Sequence, residues 1–314
     1  MTNRRYLVIL NPIAGKGTAA TRIPEIEALL TARSLEYELR VTKSVWHAAE
    51  LAAGAGREGF QVVVAAGGDG TANEVINGLM LALERGERLP AMGVFSIGRG
   101  NDFAFGADIP SNLALCVDVV AAGRERPMDV GKVTGGDYPR GRHFGNGIGV
   151  GFDTQVGLEA AKLRHVHGFM AYVIGAMKTF VIYPDAPRVR LEGDDGVIEQ
   201  ESHQINIMNG KRLGGTFFMA PQAVNHDGLF NLCMTERLNR REMVAVMGRY
   251  TKGTQAGHPK VKVGTSSRYA IAAPGGGLVV HADGETICVD GRSLLVECLP
   301  SRINILCDHA GTLA

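Results

Sequence analysis

Along the first third of the chain, short apolar runs alternate with amphipathic stretches. Tyr6-Leu-Val-Ile-Leu10, Gln61-Val-Val-Val-Ala65 and Ala91-Met-Gly-Val-Phe-Ser96 are almost unbroken apolar segments of strand length, the pattern of strands buried on both faces. Tyr37 to Thr42 reads as another strand. Between them Ile23, Ile26, Leu29 and Leu30 share one helical face behind Pro24, where proline suits a helix start. Ala48 to Ala55 predicts the next helix, and a further one joins the Gln61 and Ala91 runs. Strands alternating with helices predict an open α/β sheet.

The pattern changes near Pro127. From Met128 the apolar segments are short, glycine-punctuated and β-like: Met128–Val133, Arg188–Leu191, Gln204–Met208, Leu229–Thr235, Leu278–Ala282 and Ile287–Val289. Turn signals such as Gly193-Asp-Asp-Gly196 stand where hairpins need them. This half therefore predicts a mostly antiparallel β domain, interrupted by one helical stretch from Gly157 to Phe180 and a helix start near Arg240 and Arg241. The expected organisation is an α/β domain over 1–127 and a β domain over 128–298.

A chain of 314 residues accommodates two such domains. Its 42 glycines, roughly twice the usual share and without collagen period, point to tight turns and close backbone approaches. The formal net charge of +1 excludes a broad electrostatic footprint for nucleic acid. Cys116, Cys233, Cys288, Cys298 and Cys307 are scattered and never in C-x-x-C spacing, which argues for a reducing compartment and against a disulfide framework or structural zinc. The N-terminal apolar run is too short for a signal peptide. The longest apolar stretch, Phe169 to Tyr183, contains Lys178 and falls short of the ~20 residues of a membrane span. The expectation is a cytoplasmic protein that meets any membrane substrate peripherally, at the inner face. His165 and His167, two apart on an expected helix, face different ways and make a poor metal pair.

The candidate chemistry centres on Gly67-Gly68-Asp69-Gly70-Thr71-Ala72-Asn73-Glu74, a glycine turn between a buried strand and a helix. Such a junction presents backbone N–H groups to an anion, and glycine lets phosphate oxygens approach the main chain. Thr71 and Glu74 also have the spacing of a capping box. Asp69 within this loop would repel phosphate unless a cation lay between them, the arrangement expected for Mg2+. Gly15-Lys16-Gly17-Thr18 lacks P-loop spacing. Gly145-Asn-Gly-Ile-Gly-Val-Gly151 misses the dinucleotide register and opens no evident helix, which argues against a Rossmann fold.

Six landmarks in order make the sequence resemble the soluble bacterial diacylglycerol kinases, relatives of sphingosine kinases and more distantly of NAD kinases. They are Asn11-Pro12 with Gly15-Lys16, the Gly67–Glu74 loop, Gly98-Arg-Gly-Asn101-Asp102-Phe103, Gly145-Asn-Gly147 with Gly151-Phe-Asp153, Ala220-Pro221 with Asp227-Gly228, and Asp283-Gly284-Glu285. The resemblance spans nearly the whole chain. It implies an N-terminal α/β domain that binds ATP and a C-terminal antiparallel β-sandwich, with residues 299–314 returning to the first domain. The implied nucleotide contacts are Asn11, Thr42, Gly67, Gly68, Asp69, Gly70, Thr71, Asn73, Glu74, Arg99 and Asn101. Glu285 is the implied catalytic carboxylate, with Asp69 holding the catalytic Mg2+. Lys16, Asp102 and Asp283 are expected beside Asp69 in a charged interdomain cleft. A structural Mg2+ is implied at Asp227 with the carbonyls of Val224 and Leu229. Arg99 departs from the small or hydroxyl residue usual in the family, and Phe105 stands where a basic residue is common.

The function implied is ATP-dependent phosphorylation of a hydroxyl on diacylglycerol or a similar membrane lipid, within phospholipid metabolism. A NAD kinase-like enzyme shares the Gly-Gly-Asp-Gly-Thr loop, and a catalytically weak nucleotide- or lipid-binding regulator stays open because of Arg99. Exposed sheet edges in this fold class admit a homodimer.

Overall fold

The computed structural model describes residues 4–163 and 169–308; His165 and His167 lie outside them. Contacts divide the chain into two compact units, Met1–Val130 with Pro300–Ala314, and Gly131–Leu299.

Unit 1 opens with β1 (Arg5–Leu10), followed by a 3-10 turn (Ala14–Lys16), α1 (Thr18–Thr21), α2 (Ile23–Ala32), β2 (Glu36–Val41) and α3 (His47–Ala55). It continues through β3 (Val62–Gly67), α4 (Asp69–Glu84), β4 (Ala91–Ser96), α5 (Asp102–Gly106) and α6 (Leu113–Ala122). The strands pair in parallel in the order β4-β3-β1-β2. Every residue of β3 and β4 is buried, whereas β2 is half-exposed at the edge. That contrast explains why β3 and β4 read as unbroken apolar runs. From β1 the chain moves to β2 on one side and later to β3 on the other, so the loops leaving β1 and β3 diverge. Open α/β sheets bind ligands at such a switch point, beyond the strands' carboxyl ends.

The chain passes between units twice. The first passage is β5 (Glu125–Gly135). Unit 2 then contains β6 (Tyr138–Phe144), β7 (Gly147–Gly151), α7 (Phe152–Ala161), α8 (Phe169–Ile182), β8 (Arg188–Gly193), β9 (Gly196–Met208), β10 (Phe230–Glu236), α9 (Arg240–Tyr250), β11 (Val261–Ser266), β12 (Arg268–Ala272), β13 (Leu278–Ala282) and β14 (Glu285–Gly291). The second passage is β15 (Ser293–Leu306). Its end returns to unit 1, where Ile305 pairs with Met92 of β4, the Ser301 N–H bonds Asp129 at 2.8 Å, and Arg124 bonds Asp308 at 3.0 Å.

Unit 2 is an antiparallel sandwich. One sheet runs β14-β13-β7-β9-β10-β11. The other joins the first half of β9 to β8, β12 and β15. Phe144, Ile148, Ile205, Phe230, Val280 and Ile287 fill the space with Leu191, Ile271 and Val296. Alternation follows the pleat: Phe230, Leu232 and Met234 of β10 face this core, while Cys233 faces a second one with Phe152, Val156, Met243, Val246 and Tyr250 of α7 and α9. All five cysteines are buried and none forms a disulfide. No helix among the described residues is long and apolar enough to cross a membrane.

Two local expectations are corrected. The glycine run ending at Gly151 does open a helix, because α7 begins at Phe152, five residues before the expected start at Gly157. The expected capping box does not form either, since α4 starts at Asp69 behind Gly68 and no side chain caps it. Glu74 instead accepts the Ala48 N–H at 3.1 Å, capping the first turn of the neighbouring α3.

Candidate active site

Two glycine loops meet at the carboxyl ends of β3 and β4. Gly68 and Gly98 approach main chain to main chain, and a Cβ added to Gly98 would lie 2.4 Å from the Gly68 Cα. A side chain at either position would force the loops apart. The close approach leaves the first turn of α4, uncapped by any side chain, at the strand ends. The amides of a helix's first turn and the helix dipole together favour an anion there.

Asp69 joins the loops through its side chain, with Oδ1 accepting the Phe103 N–H at 2.9 Å. Its Oδ2 and that of Asp102 both lie around Gly100, at 3.0 and 3.4 Å from where a Cβ would stand. Asp102, the first residue of α5, is buried. Two carboxylate oxygens gathered at one glycine suit a hard cation, which takes oxygen ligands. Asn101, left-handed at φ 49°, closes the second loop with an Nδ2 bond to the Gly98 carbonyl at 3.2 Å. Lys16 is exposed in the turn after β1, beside Gly15, whose added Cβ would meet the Ile97 carbonyl. Arg99 is exposed at the tip of its loop.

A pocket of about 300 Å³ opens at the switch point and is lined by Asn11, Pro12, Thr42, Lys43, Ser44, Ala48, Thr71 and Glu74. Asn11 Nδ2 donates to Thr71 Oγ1 at 3.2 Å, tying the loop after β1 to the first turn of α4. Four expected nucleotide contacts, Asn11, Thr42, Thr71 and Glu74, thus share one wall. Asn73 does not join them. It is 1% exposed inside α4, and its Oδ1 accepts from Asn77 Nδ2 at 3.2 Å.

The remaining expected residues belong to unit 2. Asp283 (φ 49°) and Gly284 (φ 86°) form a two-residue turn, with Ala282 opposite Glu285. Positive φ at both positions is the signature of a type I′ hairpin, for which Asp-Gly is favoured. Asp283 turns its carboxylate onto the amides of Gly145, Asn146 and Gly147 at 2.7, 3.0 and 2.9 Å. It is thereby a brace between turn and β7. Glu285, half-exposed, projects from the first position of β14 with Arg142 at 3.8 Å. Asp227 is exposed and accepts the Leu229 N–H at 3.0 Å, closing its own turn. Among the described residues no three His, Cys, Asp or Glu side chains are placed to hold a metal together. Sequence reasoning missed the Phe103 amide, Arg142 and the lining residues Lys43 and Ser44.

A family model for the diacylglycerol kinase catalytic domain matches residues 5–133, and one for the YegS C-terminal NAD kinase beta sandwich-like domain matches residues 146–307. The chain belongs to the diacylglycerol kinase family of lipid kinases. Across 261 residues this kinase is 32% identical to a diacylglycerol kinase of Staphylococcus saprophyticus, covering 82% of this chain and 81% of the relative. It is also 32% identical to a protein of Xanthomonas campestris named "Probable lipid kinase YegS-like", over 97% of this chain and 96% of that one. In fold, the lipid kinase is similar to a diacylglycerol kinase from Bacillus anthracis (TM-score 0.73, 20% identity, 99% of this chain and 98% of the other). A yeast NADH kinase is a more distant likeness at TM-score 0.51 and 10% identity, covering 98% of this chain and 84% of that one.

Proposed function

We propose that this lipid kinase transfers the γ-phosphoryl group of ATP to a hydroxyl of diacylglycerol or a similar membrane lipid, working peripherally at the cytoplasmic face of the membrane. The observation that carries the nucleotide half is the uncapped first turn of α4 beside the pocket of Asn11, Thr42, Thr71 and Glu74. The ribose and base sit in that pocket and the phosphates run to the α4 amides. Asp69, with Asp102 near it, would hold the Mg2+ that accompanies the nucleotide, and that ion would supply neutralisation of γ-phosphate charge. Phosphoryl transfer has a loose transition state, so alignment and charge neutralisation do most of the work. The lipid oxygen bonds to the γ-phosphorus as the bond to the bridging oxygen of ADP breaks. Glu285 takes the hydroxyl proton and releases it to water.

A lipid rather than NAD is favoured by the match of residues 5–133 to the diacylglycerol kinase catalytic domain and by the relatives named for lipid kinases at 32% identity, whereas the NADH kinase shares the fold at 10% identity. The test is incubation of purified protein with labelled ATP and either NAD or vesicles containing diacylglycerol. Label in phosphatidic acid supports this reading, label in NADP supports the NAD kinase alternative, and transfer to neither supports a binding regulator.

A further inference from the structure

Behind the turn that carries Glu285 lies a polar row with no part in the chemistry described above. In the sheet, Gly149 of β7 stands opposite Asn206 of β9 on one side and His281 of β13 on the other. Gly149 leaves a gap that the Asp153 carboxylate occupies from the first turn of α7. A Cβ at Gly149 would lie 2.2 Å from Asp153 Oδ2 and 2.5 Å from His281 Nε2. Asp153 Oδ2 accepts Asn206 Nδ2 at 2.6 Å, and its Oδ1 accepts the Thr154 N–H at 2.7 Å. His281 Nε2 stands 3.6 Å from Asp153 Oδ2, beyond hydrogen-bond length but within reach of the carboxylate's charge. At the far side of the ring, Nδ1 accepts the Gly284 N–H at 3.2 Å. That acceptor role puts the imidazole proton on Nε2, the nitrogen facing Asp153, so the carboxylate favours the tautomer the turn requires.

We propose that His281, held by Asp153, is a positioning residue for phosphoryl transfer, setting the direction in which Glu285 leaves the hairpin. The proposal rests on the reading of Glu285 as the base. Asp283 anchors the first turn residue to the amides of β7 and the preceding loop, and His281 anchors the second, Gly284, immediately before Glu285. Without the Nδ1 acceptor the Asp283–Gly284 peptide can swing, and the Glu285 carboxylate swings with it. A base displaced by about an ångström loses rate without losing substrate binding.

The experiment compares His281→Leu and His281→Asn by phosphoryl transfer to diacylglycerol in phosphatidylglycerol vesicles, and by hydrogen–deuterium exchange at Gly284. Leucine fills the space but offers no acceptor, so kcat falls by about tenfold to a hundredfold at unchanged ATP and lipid KM, and the Gly284 amide exchanges faster. Asparagine places its Oδ1 near the former Nδ1 and restores most of both. Wild-type kcat or unaltered Gly284 exchange in His281→Leu overturns the positioning role, as does an equal loss in both variants. If the wild type phosphorylates no lipid while Gly284 exchange responds as described, the hairpin contact stands and the kinase reading of Glu285 fails, taking the catalytic role of His281 with it.

Discussion

The Asp69 carboxylate accepts the Phe103 amide at 2.9 Å, so a residue at the start of α4 fastens the first turn of α5. One oxygen of the proposed magnesium ligand is thus a structural acceptor, and the two duties separate by mutation. Asp69→Asn keeps an oxygen for Phe103 and removes the charge. Its thermal unfolding should stay close to wild type while Mg2+-dependent kcat falls by about a hundredfold. Asp69→Ala loses the acceptor too and should cost roughly 1–3 kcal/mol of stability in addition. Equal destabilisation of the two variants in thermal melts would remove the anchoring role.

Glu285→Gln keeps the side-chain shape and removes the base. We expect kcat to fall by roughly a hundredfold or more, with ATP binding retained in calorimetry. Glu285 is half-exposed and stands 3.8 Å from the buried Arg142, beyond hydrogen-bond length, so its loss of charge should cost little stability. Normal turnover of Glu285→Gln on the lipid substrate would dismiss Glu285 as the base.

At Asp227 the hydrogen bond to the Leu229 amide and the proposed cation are separable in the same way. Asn at this position can still close the turn, whereas Ala cannot. If Mg2+ binds there with the Val224 and Leu229 carbonyls, Asp227→Asn should melt early and lose its response to chelator, as Asp227→Ala does. A wild-type melt for Asp227→Asn, with wild-type chelator response, would leave only a turn.

Burial, reinforced by Lys132 across the strand pair, pushes the His143 imidazole down to about 4 from 6.5. The folded protein therefore holds His143 neutral where the unfolded chain would protonate it. The sign follows: this contribution is whole above pH 6.5 and is lost as pH falls through about 4, up to roughly 3 kcal/mol by linkage. In His143→Gln that acid limb should be shallower in denaturant melts taken from pH 7 to pH 4. An unchanged slope would mean that His143 titrates normally.

How much was legible follows from what each residue faces. β1, β3 and β4 were plain because both faces are covered, which leaves an unbroken apolar signature. β7 was hidden because glycine takes alternate positions along Gly147-Ile-Gly-Val-Gly151, leaving no side-chain alternation on one face. β15 was hidden because Pro300, Ser301 and Arg302 interrupt its apolar character just where it leaves unit 2. At the site, the glycine loops and Asp-Gly turn were readable because backbone geometry demands those residue types. Glu74 misled because T-x-x-E spacing is local, whereas its partner Ala48 comes from a different helix. Asp283 likewise read as one more acid near Glu285, since nothing in its neighbours reveals the three amides it holds.

The return of β15 to β4 gives the molecule an order of assembly. On the ribosome, β1 to β4 emerge early, yet β4 must wait for Ile305, almost the last described strand residue, before its outer edge is paired. Through synthesis of all of unit 2 that edge stays an open template for another nascent chain. Chains cut short before Ser293 should therefore collect in the insoluble fraction even though the nucleotide loops are complete, and recovery of such chains as soluble monomers would speak against a closing role for β15. The C-terminal strand acts as the clasp of the first domain, and it is fastened last.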